Sequence, residues 1–294
     1  MRATIFLIIG TSLWGLNYHF AGLVLAEVDF LEGGFWRYFF AVLVLLAVNL
    51  KQLPSRTTIK KNIKGVFSVG AIGLFGFNLF FFLGMASTTG VNGALIMGIN
   101  PAITLVLSSF IMKTKIQFNH LLGILIALTG VLYLLLKGQL SALAGLTFSH
   151  GDLLVLVSVI FFALHHVWVK KYSSENTTTK EFTLMSAVMC FVCFLIVLPF
   201  SNVSNISQHH TSFWIGTLGI GCLGTGLAYL FWNSGVSLVG ANKAGVYVNL
   251  VPISAGLSAS LFGEVLQLYH LISGGLVIFG LIIMQVNPFK SISK

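Results

Sequence analysis

Charge is what this chain of 294 residues has least of. Only 8% of its residues are Asp, Glu, Lys or Arg, against roughly 25% in a typical soluble domain. Seven residues are acidic, five are proline and three are cysteine. Hydrophobic residues make up 56%, and the mean hydropathy is +0.96. A water-soluble domain needs more polar cover than this, so the composition excludes one and makes lipid the solvent. The shortage of acids leaves a net charge of +9. On a soluble chain such a surplus would point to nucleic acid. On an apolar chain it means basic loops facing the cytoplasm, and no nucleic-acid partner is expected. Cys190, Cys193 and Cys222 lie inside apolar runs. Cys190 and Cys193 have the C-x-x-C spacing, but no second Cys or His pair flanks them, so they read as packing residues and no metal or other cofactor is expected.

What the chain has in abundance is long apolar runs. They fall near 3–24, 33–50, 66–86, 92–112, 119–136, 152–169, 182–200, 213–235, 244–262 and 269–287, each close to the roughly 20 residues a span requires. Backbone groups in hydrocarbon must bond within their own segment, so these runs should be helices. The stretch from Met1 to Leu25 lacks a small-residue cleavage site and reads as the first span. With the N-terminus in the cytoplasm, 14 of the 16 Lys and Arg residues fall on the inner side, and only Arg37 and Lys137 fall outside. The positive-inside rule is then obeyed throughout, and both termini are expected on the cytoplasmic face of an inner membrane.

The second half repeats the first. Shifting 70–131 forward by 151 positions aligns Gly70 with Gly221, Gly73 with Gly224, Gly84 with Gly235, Pro101 with Pro252 and Gly123 with Gly274. Leu and Phe matches count for little in apolar sequence; the aligned Gly and Pro positions count. The expected architecture is an all-α integral membrane protein of ten transmembrane helices, with one five-helix repeat over 1–138 and a second, inverted one over 139–294. An odd number of helices turns the second copy over, which is how many carriers build two alternative openings around one midplane site.

Trp14–Gly15 with Asn17, Arg37 in the second helix, the Gly-rich third and eighth helices, and the repeated pattern Asn100–Pro101…Gly123…Gly130 and Val251–Pro252…Gly263–Glu264…Gly274…Gly280 resemble EamA-type members of the drug/metabolite transporter superfamily. The resemblance covers essentially the whole chain. It implies a ten-helix carrier with inverted repeats, often an exporter of amino acids or other metabolites. Where the family often has Glu after both the fourth and the ninth helix, this chain has Lys113 and then Glu264.

The candidate substrate contacts are the polar and aromatic residues at depth, because hydrogen-bonding groups are costly in hydrocarbon and should face the bundle interior. Trp14 and Asn17 are three apart and share a helical face. Asn92 and Asn100 share another, and the repeat places Tyr247 on the matching one. Asn78 matches Tyr229, and Phe82 matches Asn233, beside Trp232. For each, a plain interhelical hydrogen bond of about 0.6 kcal/mol is the competing reading. His165 can relay a proton near neutral pH; protons are thus a candidate partner, against the reading of a neutral imidazole bonded to a neighbouring helix. Pro101 and Pro252 either make static kinks or loosen the helices that carry them. Arg37 either snorkels to the outer surface or contacts an anion or gates the outer side, paired with Glu32 or Glu264. Gly219-Ile-Gly221-Cys-Leu-Gly224 matches a nucleotide-binding pattern, but inside an apolar span it fits close helix packing better.

These readings favour a monomeric secondary carrier of small organic solutes such as amino acids, metabolites or drug-like amphiphiles, working in the export direction. No phosphate-binding loop suggests self-powering by ATP. Two other classes stay open. One is a membrane-embedded enzyme acting on a lipid-linked substrate, with Ser158 and His165 as its only tempting pair, about 10 Å apart on a helix. The other is a receptor that transports nothing.

Overall fold

In the computed structural model of this chain, residues 1–88, 93, 96–145, 149–172, 177–261 and 267–285 are described. Every long element among them is a helix. In chain order these are α1 (Arg2–Leu25), α2 (Phe30–Asn49), α3 (Arg56–Met85), α4 (Asn100–Met112), α5 (Phe118–Leu135), α6 (His150–Tyr172), α7 (Thr179–Phe200), α8 (Thr211–Val239), α9 (241–261) and α10 (Leu268–Gln285).

Six of them, α2, α3, α5, α6, α7 and α8, are long and apolar enough to cross a membrane, and α4 and α10 are shorter apolar helices. Of the other two, α1 is an uninterrupted helix over the span expected at 3–24, in which the polar Asn17 and His19 dilute the apolar run. The expected run at 244–262 is broken into a short helix Ala241–Gly245, a 3-10 turn Val246–Asn249 and a helix Leu250–Leu261 that carries Pro252 in its first turn. Irregular backbone at such depth is tolerated where it is buried in protein or lines a cavity. Where helices begin, polar side chains cap them. Asp29 accepts from the amides of Leu31 (2.8 Å) and Glu32 (3.1 Å). Thr178 and Glu181 form a reciprocal capping box at the start of α7.

Both α3 and α8 contain a nine-residue π-helical stretch, Phe67–Phe75 and Gly219–Leu227. The 151-residue shift that aligns Gly70 with Gly221 superposes the two stretches to within one residue. Such wide turns are rare and concentrate at functional sites. The glycines they carry let neighbours approach. A Cβ on Gly73 would meet the Cβ of His165 on α6 at 2.9 Å, and one on Gly224 would overlap the side-chain amide of Asn17 on α1.

The packing follows the same correspondence. α1 lies against α8 and α9, and α6 lies against α3 and α4. α2 packs on α8, and α7 on α3. α2 also packs on α7, and α5 on α10. Exchanging helices one to five for helices six to ten leaves this set of neighbours unchanged. The main apolar core runs along the seam and includes Leu7, Trp14, Tyr38, Phe162, Trp232 and Tyr247. The outer surface is also apolar: Phe110 is 79% exposed, Ile196 66% and Leu125 62%. Water would not tolerate so continuous an apolar coat; hydrocarbon does.

The α5–α10 contact is the tightest test of this packing. A Cβ on Gly123 would stand 2.6 Å from the carbonyl oxygen of Gly280, and one on Gly280 would stand 2.6 Å from that of Gly123, whereas one on Gly275 would meet nothing within 4 Å. Gly123→Ala and Gly280→Ala are each expected to cost about 1–3 kcal/mol through forced backbone shifts. Gly275→Ala should be close to neutral. Thermal unfolding of the detergent-solubilised variants checks this; equal melting temperatures for all three would contradict the packing.

Candidate functional site

A cavity of about 160 Å³ lies at the seam. α1 contributes Trp14, Asn17 and Ala21, α2 contributes Arg37, and the end of α3 contributes Phe77, Asn78, Phe81 and Phe82. Met97 and Gly98 precede α4 on the wall. Phe162 comes from α6, Ile220 and Tyr229 from α8, and Val248, Asn249, Val251 and Pro252 from the broken α9. Both halves of the chain therefore build it, and the interrupted helix α9 passes along it.

The walls are largely aromatic. The Trp14 ring is 5.5 Å from Phe162, 5.2 Å from Tyr229 and 4.9 Å from Trp232, and Phe77 stacks on Phe162 at 4.5 Å. Polar groups are few and held in place. Arg37 Nε donates to Thr225 Oγ1 (2.6 Å) and Nη1 donates to Asn78 Oδ1 (3.2 Å). Asn78 in turn donates to Tyr38 Oη (3.2 Å) and to the Leu74 carbonyl (2.7 Å). Thr225 sits in the second π stretch and donates to the Ile220 carbonyl five residues back (2.7 Å). The wide turn thus presents Thr225 to the guanidinium. One residue earlier, Asn17 Nδ2 donates across the seam to the Gly224 carbonyl (3.0 Å).

Several buried polar atoms have no protein partner. On the cavity wall these are Trp14 Nε1, Asn17 Oδ1 and both amide atoms of Asn249. Deeper, away from the cavity, they continue as both ring nitrogens of His165 and of His166, Trp232 Nε1, Ser186 Oγ and Asn233 Oδ1. An unmade bond of this kind costs about 1–3 kcal/mol per group.

The two ends of the molecule differ. At one end, segment 201–210 straps down onto the acids that join α1 to α2. Ser201 Oγ donates to Asp29 (2.6 Å), the amide and hydroxyl of Ser204 donate to Glu32 (2.9 and 2.8 Å), and His209 Nδ1 lies 3.0 Å from Glu27 Oε2. His209 also stacks on Phe213 with ring centres 3.9 Å apart. The cavity reaches toward this cap end, where Ala21, Phe82 and Ile220 lie. At the other end, which carries most of the lysines, Asn242 joins the halves by donating to Thr114 Oγ1 (3.1 Å). Within the second half, Lys170 Nζ donates to the Ser237 carbonyl and Asn233 donates to Thr183 Oγ1 (3.0 Å).

Of the residues singled out from sequence, the cavity brings together Trp14, Asn17, Arg37, Asn78, Phe82, Tyr229 and Pro252. The others stand elsewhere. Asn100 donates to the Val159 carbonyl (3.3 Å) and accepts from Thr104, fully buried between α4 and α6. Pro101 begins α4 against Gly245 of α9. His165, Trp232 and Asn233 are buried below the floor, and Tyr247 is buried in the 3-10 turn of α9. Asn92 and Glu264 lie outside the described residues. Arg37 does not pair with Glu32, whose carboxylate is held by Ser204 and by Trp36 Nε1 (3.2 Å). The Ser158 hydroxyl is committed to the Val155 carbonyl (2.6 Å), which argues against its use as a nucleophile with His165. Asn249, one of the polar residues at depth expected to face the bundle interior but not carried into the substrate contacts, lines the wall one turn before Pro252. Sequence reasoning missed Phe77, Phe81 and Phe162, which look like core residues in any apolar run.

Comparison with known proteins adds an independent finding. The sequence pattern described as the EamA-like transporter family matches residues 1–136 and again 149–286. The chain is similar to a Bacillus subtilis (strain 168) protein named uncharacterized transporter YyaM, at 29% identity over 94% of this chain and 91% of that one. It is also similar to uncharacterized transporter YetK of the same organism, at 29% identity over 88% of this chain and 78% of the relative. A protein known from a crystal structure covers 96% of each chain with a TM-score of 0.75 at 19% identity, a likeness of fold alone.

The strap at the cap end generates a pH prediction. Burial pushes the Glu27 carboxyl up, but the bond from His209, the backbone of His210 and the nearby imidazole charge outweigh it and hold the group below its ordinary value. A depressed carboxylate stabilises its contact above the ordinary glutamate value of about 4.3 and loses that contribution as pH falls through the folded value. Hydrogen exchange across 201–210 should therefore accelerate below about pH 4, and Glu27→Gln should give fast exchange already at pH 7. Exchange that is unchanged by both treatments would show that the strap does not depend on this carboxylate.

Proposed function

We propose that this chain, which belongs to the EamA-like transporter family, is a secondary carrier that moves small organic solutes through the central cavity by alternating access. The relatives named as transporters and the apolar helices make it a membrane transporter. In the arrangement we propose, ten helices cross the membrane as two oppositely oriented halves, 1–138 and 139–294. Both termini and the lysine-rich end face the cytoplasm, and transport runs in the export direction. Support comes from the family pattern matching twice along the chain, from neighbour pairs that survive exchange of the halves, and from the paired π stretches. The basic residues supply the orientation.

One observation carries the alternation. The unbonded polar atoms do not stop at the cavity floor but run on from Trp14 and Asn249 through His165, His166, Trp232 and Asn233 toward the lysine-rich end. A rigid packed core would gain by replacing them with apolar groups. A path that is sealed in one state and wet in the other has a use for them. On this reading the structure is the state open toward the cap, with Asn242–Thr114 joining the halves on the cytoplasmic side.

Accessibility to a membrane-impermeant thiol reagent tests this in a background with Cys190, Cys193 and Cys222 replaced. Asn249→Cys should react from the cap face, and His166→Cys should react from the lysine-rich face only. Holding the protein in the cap-open state with a transported solute should slow labelling at His166→Cys several-fold. Failure of both positions to react from either face would mean a sealed seam and would defeat the carrier reading.

A further inference from the structure

We infer that the solute is a small carboxylate with an apolar body, bound through its carboxylate to Arg37. The inference rests on the carrier reading and names the substrate class of that same cavity.

Arg37 is 9% exposed, and the cavity is what it faces. It brings the positive charge of a guanidinium to the wall. Both of its bonds go to neutral groups, Thr225 Oγ1 and Asn78 Oδ1. Among the described residues no carboxylate pairs with it. Glu27, Asp29 and Glu32 are all taken by the strap at the cap end, and among the described residues no acid lines the cavity. A fixed positive charge in a low-dielectric site with no counter-charge favours an anion and repels a cation. The two neutral partners use two of the five N–H donors of the fork and hold its plane, leaving three donors for a ligand. That planar fork matches a carboxylate with two parallel bonds.

The remainder of the cavity selects within the anions. Its volume of about 160 Å³ is well under the roughly 300–1,000 Å³ of pockets for drug-sized molecules, which turns the reading away from bulky amphiphiles. Trp14, Phe77, Phe162, Tyr229 and Ile220 offer an apolar bed for the body of the solute. Asn249, 1% exposed and with neither amide atom bonded, supplies a second polar pole. An ammonium or hydroxyl on the solute can meet it, but the arginine makes the carboxylate the required group. A simple amine, the other class that an aromatic cavity suggests, would meet the charge of Arg37 with nothing to offset it.

Three probes that share one carbon skeleton separate these cases: L-leucine, 4-methylpentanoate, which lacks the amine, and 3-methylbutylamine, which lacks the carboxylate. Thermal shift of the purified full-length chain and counterflow in proteoliposomes are read for each. The expected result is that both acids stabilise the wild-type protein and drive counterflow while the amine does neither. Arg37→Gln should weaken the response to the acids by about tenfold or more, the scale of a lost charged hydrogen bond, and Arg37→Lys should retain part of it. Wild-type protein that moves the amine and ignores both acids overturns the inference and leaves the carrier reading standing. So does an Arg37→Gln protein that responds to the acids like wild type. Wild-type protein that responds to none of the three also overturns it. If position 249 is then also closed to reagent from both faces, the carrier reading falls with it. The wild-type series decides the question even if an Arg37 variant fails to fold.

Discussion

Inside hydrocarbon a polar atom must find a protein partner, meet water or solute, or leave the molecule less stable. Most of what distinguishes this fold follows from that constraint. Backbone groups meet it by forming helices. Where the helix is interrupted, at the 3-10 turn Val246–Asn249 and at the two π stretches, the irregular backbone is turned toward the seam and not toward lipid. Polar side chains meet the constraint by crossing the seam: Asn17 reaches Gly224, Arg37 reaches Thr225, and Asn242 reaches Thr114. The bonds are few, so each is informative about where the helices must stay in register. The atoms that fail to find a partner are informative in the other direction: those of Trp14, Trp232, His166 and His165 belong to rings in mutual contact below the cavity, while those of His120 and Ser273 stand apart on α5 and α10.

The seam itself is a consequence of how the helices pair. No helix of the first five has its main contact with its own sequence neighbour; α1, α2 and α5 all pack chiefly on helices of the last five. Small residues make the approach close, with Gly73 under His165 and Gly224 under Asn17 at corresponding places. Such an arrangement places most of the packing between the halves and little within each. In the carrier proposed above, the Glu27–His209 strap and the Asn242–Thr114 contact, each joining the two halves, sit at opposite ends of their motion.

Much of this was legible from sequence, and the reasons are specific. Trp14 and Asn17 share a face because they are three residues apart, and the cavity holds both. The 151-residue shift places Asn78 opposite Tyr229, and both line the wall. Arg37 stood out because a charge at that depth is rare. Two kinds of information were not legible. Polar residues at depth can be spent on a neighbour, as Asn100 is on Val159 and Asn233 on Thr183, and nothing in their spacing says so. Aromatic residues that line a cavity are chemically the same as those that fill a core, so Phe77 and Phe162 carried no mark. The span expected at 3–24 is a continuous helix, but the one expected at 244–262 is broken ahead of Pro252, where it passes along the cavity.

The claim that the halves move against one another around this cavity is tested most directly by a distance between the ends that the closed state holds together. Spin labels at positions 115 and 243, exposed beside the Asn242–Thr114 contact that joins the halves, report it by pulsed electron resonance in lipid nanodiscs. Two populations, one short and one longer, whose ratio shifts when a transported solute is added, are the predicted result. A single narrow distance that no solute changes, in protein that still catalyses counterflow, would contradict the account.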